Sequence, residues 1–304
     1  MTPPSTYPTR LAQLKHEAPE TDGHERRDAV SGVDSSTFGE GVRLLPDTIQ
    51  TDIRQLYYVL RTIDDLVDEH QPDASPRLQA VERWARHEQD ATSEETELLS
   101  DLAKRHDLDR PALLQFCEGM RHDLDGAAIR DEADLERYCQ QAGGAVGVLL
   151  AGILGATDPS CAAGMAMLGR AMQRTNILRD IDEDRANGRL YIPRSTIERH
   201  GFPAPGRREQ LLREQIPIAD ALYEEGEYSI RLLAHGRRAM ALATALYREI
   251  LRQIERDGYG RTAGRATVPE ERKRALIAEC TAAPCRAYAE PTIADGPERR
   301  PRRL

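Results

Sequence analysis

With 304 residues, 39% of them hydrophobic and 31% charged, the chain is long enough for one large domain or two ordinary ones. A formal net charge of −9 argues against wholesale nucleic-acid binding. Five cysteines without CxxC or Cys/His spacing support neither a disulfide framework nor a zinc site, so the expected setting is a reducing cytoplasm.

Residues 1–28 are polar, contain proline and carry no hydrophobic period, which predicts a flexible arm rather than a leader peptide. The first clear helix runs from about Asp47 to Glu69. There Ile53, Leu56, Tyr57, Leu60, Asp64, Val67 and Asp68 fall on one stripe at helical spacing. The stripe begins apolar and ends in carboxylates, so the acids are expected to point inward with the core. Buried charge is costly unless paired or metal-bound. Asp64 and Asp68 are therefore the first functional signal.

A second helix is predicted from about Leu135 to Leu154, with Tyr138, Ala142, Ala145, Leu149 and Ile153 on one face. Its glycines, Gly143, Gly144, Gly147 and Gly152, either permit close helix approach or leave room for a ligand chain. The apolar run from Ala142 to Ala156 has 15 residues, short of the roughly 20 that span a bilayer. A third helix, from about Cys161 to Arg185, places Gln173, Asn176, Asp180 and Asp184 on a shared face. One or two more long helices follow between Ile218 and Arg256, the last stopping at a Gly signal. The segment GYGRTAG (258–264) follows a helix and lacks G-x-G-x-x-G spacing, so it reads as a loop. Residues 282–304, with ERRPRRL, read as a disordered basic tail, and contact with anionic lipid is the alternative to a solvated one. Strand signals are missing throughout, which makes the expected fold class all-α.

The pattern D-x-x-x-D occurs twice, as Asp64–Asp68 and Asp180–Asp184. At that spacing two carboxylates stack on one helix face about 6 Å apart. Such a pair suits Mg²⁺, which takes few protein ligands and completes its shell with water and phosphate. Asn176 adds a neutral oxygen one turn before Asp180. Arg61 and Arg179 stand beside the two motifs, and guanidinium groups suit diphosphate oxygens. A single acidic pair on a helix is ordinarily a solvated surface, and Asp182 and Glu183 are read that way. Two copies with polar partners on the same face point to a site.

The segments LYYVLRTIDDLVDE (56–69), GMRHDLD (119–125), YCQQAGGAVG (138–147) and QRTNILRDIDEDRANGRLYIPR (173–194) resemble the successive signatures of squalene and phytoene synthases. SSTFGEGVRLLP (35–46) and DGYGR (257–261) are similar to the family's beginning and its C-terminal helix end. The resemblance implies a single all-helical isoprenoid-synthase domain, residues 29–281, around a central active-site cavity. It implies head-to-head condensation of two prenyl diphosphates. Metal-binding positions are then Asp64, Asp68, Asn176, Asp180 and Asp184, with Mg²⁺ as the ion and Mn²⁺ as its substitute. Arg61 and Arg179 contact diphosphate, Tyr57, Tyr138 and Gln173 line the reaction chamber, and Val146 and Gly147 flank the prenyl chains. Leu149 and Ile153 are expected to wall the chamber against water.

The Gly-Arg-x-Tyr-x-Pro exit and the lack of a C-terminal membrane anchor resemble the bacterial phytoene branch. The expected reaction is two geranylgeranyl diphosphates to phytoene through a cyclopropyl diphosphate, in carotenoid biosynthesis. The alternative is a C30 enzyme acting on farnesyl diphosphate to give squalene, dehydrosqualene or presqualene diphosphate, with NADPH required only for squalene. A non-catalytic prenyl-lipid-binding relative is the third reading. Leu60 stands where the family often has Cys, which leaves the chain length of the substrate open. The expected location is cytoplasmic, with peripheral membrane contact as the variant.

Overall fold

The computed structural model describes residues 39–88, 93–156 and 158–281. The expected N-terminal arm, the basic tail and the start of the Ser-Ser-Thr-Phe segment lie outside the described residues. The chain opens with a short α1 (Gly39–Val42) and the long α2 (Asp47–Asp68), then α3 (Ala74–Ala85), α4 (Glu94–Arg105) and α5 (Arg110–Leu124). Next come α6 (Glu132–Cys139), a π-helical turn (Gln140–Gly144), α7 (Ala145–Ile153) and α8 (Pro159–Arg179). The remaining helices are α9 (Ile181–Ala186), α10 (Arg194–His200), α11 (Glu209–Gly226), α12 (Arg237–Arg256) and α13 (Glu270–Thr281). Among the described residues the only extended pairing is one isolated bridge between Ala156 and Leu233. No helix of the described residues is long and apolar enough to cross a membrane.

Helix starts follow local chemistry. Ser93 and Thr96 cap α4 reciprocally: Ser93 Oγ accepts the Thr96 N–H at 3.3 Å and Thr96 Oγ1 accepts the Ser93 N–H at 2.8 Å. Asp109 accepts the Ala112 N–H at 2.7 Å and Asp158 accepts the Ser160 N–H at 2.7 Å. Each of these caps is followed by a proline in the first turn, where its missing N–H is not needed.

Helix α8 is central and packs against α7, the π turn, α11 and α12. Its rotation is set from behind. The fully buried Arg174 meets Glu132 at 2.5 Å, Glu136 at 3.2 Å and the Gln215 amide oxygen at 2.7 Å. Thr175 Oγ1 lies 2.9 Å from the Tyr223 hydroxyl. Residues 174 and 175 therefore face α6 and α11, which leaves Gln173 and Asn176 on the opposite side.

Two of the expected helices are not continuous. The one over 135–154 is interrupted by the π turn, whose extra residue rotates everything after it by about 100°. Leu149 and Ile153, expected on the chamber wall, lie instead in the core at 0% and 1% exposure. Val146, Gly147 and Leu150 face the cavity in their place. The helix expected over 161–185 breaks at Asp180, with φ −101° and ψ 14°, before α9 begins. Close approach explains the glycines at the α7–α8 contact: a methyl on Gly147 would collide with the Met165 carbonyl. One core cluster runs from Val42 to Val268 through these helices.

Candidate active site

A cavity of about 260 Å³ lies between α2, α5, the α6–π–α7 segment, α8 and α12. Its deeper wall is apolar: Ile53 and Leu56 from α2, Phe116 and Met120 from α5, Leu150 from α7 and Met165 from α8. Its other end carries Arg61, Asp64, Gln173 and Asn176. The α2 stripe read from the sequence thus runs along one wall from apolar to acidic. Tyr57, Tyr138, Val146 and Gly147 also line this cavity. Asp68, Arg179, Asp180 and Asp184 stand outside the lining, around the polar end.

The two acidic motifs face each other there. Burial and then the Asp68 charge push the Asp64 carboxyl up to about 7, against the pull of Arg61. Burial, followed by Asp180 and Glu183, pushes Asp184 up to about 7 as well, and Asp68 adds to the effect. Arginines pair with several of these acids. Arg61 Nη1 lies 2.9 Å from Asp64, and its Nη2 2.6 Å from Asp65. Arg179 forks onto Asp180 at 2.7 and 2.5 Å. Arg189, 121 positions away in sequence, pairs with Asp68 and ties α2 to the end of α9.

Among the described residues no three Asp, Glu, His or Cys side chains converge into a ready cation cage. The donor chemistry nevertheless suits a hard cation. Asn176 Oδ1 is buried without a hydrogen-bond partner, while the same amide hydrogen-bonds the Tyr247 phenol. Two carboxyls raised by burial and by neighbouring acids, beside an unpartnered amide oxygen, form a place short of positive charge. Oxygen-only ligation of this kind fits Mg²⁺ or Mn²⁺.

Asp123, within the GMRHDLD segment, takes a pairing role, and Tyr191, Tyr247 and Arg265 join the site without having been singled out from the sequence. Asp123 is buried, accepting the Tyr138 hydroxyl at 2.9 Å and the Tyr191 hydroxyl at 2.8 Å. The two tyrosine rings stack with centroids 4.7 Å apart. Burial and the Asp123 charge push the Tyr138 phenol far up, so it is held neutral as a donor. Tyr247 lines the cavity, and burial raises its phenol while Arg179 and Arg265 pull it down. Arg265 reaches Asp180 at 3.0 Å from a loop that carried no local signal. Asp182 corrects the sequence reading: it is not a solvated residue but 15% exposed, bonded to Arg208 at 2.8 Å and to the Gly264 N–H at 2.9 Å. The break at Asp180 turns it toward the 258–264 loop. Glu183 is exposed, as expected.

A family model for squalene/phytoene synthase matches residues 33–272, and the chain belongs to that family. Presqualene diphosphate synthase of Zymomonas mobilis is 31% identical over 264 residues, covering 82% of this chain and 90% of the relative. Phytoene synthase of Thermus thermophilus is 35% identical over 244 residues, covering 76% and 83%. Among solved structures, a dehydrosqualene synthase superposes with a TM-score of 0.74 at 25% identity, covering 84% of this chain and 95% of the other.

Proposed function

We propose that this member of the squalene/phytoene synthase family joins two geranylgeranyl diphosphates head to head, forming phytoene by way of a cyclopropyl diphosphate. One observation carries the reading: a largely apolar cavity with its acids, arginines and amides gathered at one end. A long hydrocarbon with a single anionic head matches that polarity. Phytoene synthases of 30–35% identity support the C20 substrate and C40 product.

Asp64, Asp68, Asn176, Asp180 and Asp184 would hold the divalent ion, which when bound supplies positive charge toward the diphosphate. Arg61, Arg179 and Arg265 present guanidinium groups to the same head group and stabilise the charge that grows as the carbon–oxygen bond opens. Tyr57, Gln173 and Tyr247 position the first units of the chains beside that head. Val146 and Gly147 let a prenyl chain lie against the α7–α8 contact. The apolar wall keeps water from the allylic cation. Tyr138 directs its own hydrogen to Asp123, so its oxygen lone pairs face the chamber, where they stabilise developing positive charge or take the proton lost on ring closure as the phenol hydrogen passes to the Asp123 carboxylate.

The second reading, C30 chemistry on farnesyl diphosphate, draws on the likeness to presqualene diphosphate synthase over 82% of the chain. Incubation with each diphosphate and Mg²⁺, with and without NADPH, followed by mass analysis of both hydrocarbon and prenyl-diphosphate products, separates the readings. A C40 product made without NADPH is expected. A C30 product, whether it needs NADPH or not, transfers the assignment to the second reading. Asp64→Ala and Asp180→Ala should each abolish diphosphate release. Wild-type protein that releases none from either substrate would leave a lipid-binding role.

A further inference from the structure

Among the buried ion pairs that the proposed chemistry does not use, one lies against the loop after α12. Asp182 and Arg208 meet at 2.8 Å, with side chains 15% and 4% exposed. What they hold is the loop after α12. Asp182 Oδ2 accepts the Gly264 N–H at 2.9 Å. Arg208 donates to the Gly260 carbonyl at 3.3 Å and the Thr262 carbonyl at 3.2 Å, and the Gly206 N–H donates to Gly260 at 3.0 Å. The loop takes left-handed backbone conformations at Gly258, Tyr259, Gly260 and Gly264. Glycine takes that conformation freely, which leaves the loop path to be chosen by its partners, and only Tyr259 holds it at a steric cost. The residue that follows is Arg265, whose Nε lies 3.0 Å from Asp180.

We infer that Asp182 and Arg208 are positioning residues, which strap this loop so that Arg265 stands over Asp180 where the diphosphate is received. The inference rests on the diphosphate reading above. Arg265 does not hold itself in place. Its side chain is 50% exposed, and its other carboxylate neighbour, Glu183, is 3.8 Å away. Exposed arginine pairs of that kind contribute little. A buried pair is also a poor choice for stability alone, because apolar residues of similar volume usually serve as well or better. Here Asp182 Oδ1 is buried with no partner at all, a further cost. The pair makes sense as a device that fixes geometry: it exchanges stability for a guanidinium already placed before the anion arrives.

Two substitutions loosen the strap from opposite sides. Asp182→Asn keeps the size and an acceptor for Gly264 but removes the charge that faces Arg208. Gly260→Ala keeps both charges, while its methyl collides with Arg208 Nε and drives the guanidinium away from the loop. Each is combined with Arg265→Gln in a double-mutant cycle on diphosphate release, after circular dichroism has shown a native helical fold. Limited trypsin digestion with mass spectrometry reads cleavage after Arg261 and Arg265 against cleavage elsewhere. Asp182→Asn and Gly260→Ala should each raise KM about tenfold with kcat changed far less, and neither should further impair the Arg265→Gln enzyme. Cleavage at Arg261 and Arg265 should accelerate selectively. Effects that multiply with Arg265→Gln, or unchanged cleavage in the loop, overturn the inference. The digestion needs no turnover, so it reports on the strap even if wild-type protein releases no diphosphate, the result that would end the diphosphate reading instead.

Discussion

The clasp around Asp123 supports a prediction in which charge and packing are separable. Asp123 is 8% exposed and receives two phenol hydrogens, from Tyr138 at 2.9 Å and Tyr191 at 2.8 Å. The nearest further donor is His122 Nδ1, 3.8 Å from the carboxylate and too far for a hydrogen bond. Removing one hydroxyl by Tyr191→Phe deletes one bond to an ionised acceptor, a loss of about 1.5–3 kcal/mol. Removing both, in Tyr138→Phe/Tyr191→Phe, strands a buried carboxylate, and the loss should reach about 3–5 kcal/mol. The decisive variant adds Asp123→Leu to that pair. It fills the site with an apolar group of similar reach and removes the stranded charge, so it should recover stability by at least about 1 kcal/mol. Asp123→Leu alone should be destabilising, because two buried hydroxyls then lose their acceptor. Urea unfolding at pH 7, followed by circular dichroism, measures all four variants. A triple variant less stable than the double would refute the reasoning, since the deficit would then lie in lost packing and not in an unpaired charge.

Gly147→Ala should cost about 1–3 kcal/mol in the same assay, because the obstacle to its methyl is the Met165 backbone carbonyl, which has no rotamer to yield. Ile53 lies eleven residues below Asp64 on α2, roughly 16 Å along the helix axis, and lines the apolar depth of the cavity. Ile53→Phe should shorten that depth and lower the ratio of geranylgeranyl to farnesyl turnover, read by product mass; an unchanged ratio would show that chain length is set elsewhere. Glu249 on α12 pairs with Arg256 at 2.6 Å and with Arg272 of α13 at 3.1 Å. Burial would raise its carboxyl, but Arg272 and Arg256 outweigh that and hold it below the usual range. A folded-state pKa below the unfolded one stabilises above the unfolded value near 4.5 and loses that contribution as pH falls through the folded value. Glu249→Gln should therefore lower Tm at pH 7 by about 2–4 °C. The gap to wild type should narrow below about pH 4.5, and a gap independent of pH would contradict the assignment.

How far the site could be read from sequence depends on the range of the signal. The α2 stripe was legible because a helix converts spacing into direction without outside help: Ile53, Leu56, Tyr57, Leu60 and Asp64 do share one wall. The same rule failed over 135–154, where it predicted Leu149 and Ile153 on the chamber. A π turn inserts one residue into the helical count where Gly143 and Gly147 approach α8 closely, and periodicity does not see it. Asp182 failed for a related reason, since the break at Asp180 alters which way the next turn points. Arg189, Tyr191, Tyr247 and Arg265 owe their places to partners between 68 and 121 positions away, such as Asp68 for Arg189 and Asp123 for Tyr191. Only the fold brings such pairs together.

The pattern of these long-range pairs has a consequence for how substrate binds. Each arginine offered to the diphosphate is already engaged by an acid offered to the cation: Arg61 by Asp64, Arg179 and Arg265 by Asp180. Neither set can take its ligand at full strength while the other is unfilled. On the proposed function, cation binding would occupy the carboxylates and free guanidinium groups, and the freed groups would raise the affinity for the anion. By linkage the effect is reciprocal, so diphosphate must tighten the cation by the same factor. For two or three ion pairs exchanged in a partly buried site, a coupling of about 1–3 kcal/mol, or 5–150-fold, is expected. Calorimetry with inorganic diphosphate, at fixed free concentrations of anion with and without Mg²⁺, measures one arm, and Mn²⁺ titration with and without diphosphate measures the other. Arg179→Gln should weaken diphosphate binding while leaving the cation less dependent on it, because Asp180 then has one fewer competitor. Equal diphosphate affinity with and without Mg²⁺ would show that the arginines bind the anion without leaving their carboxylates, and the two acidic motifs would need another reason to face each other.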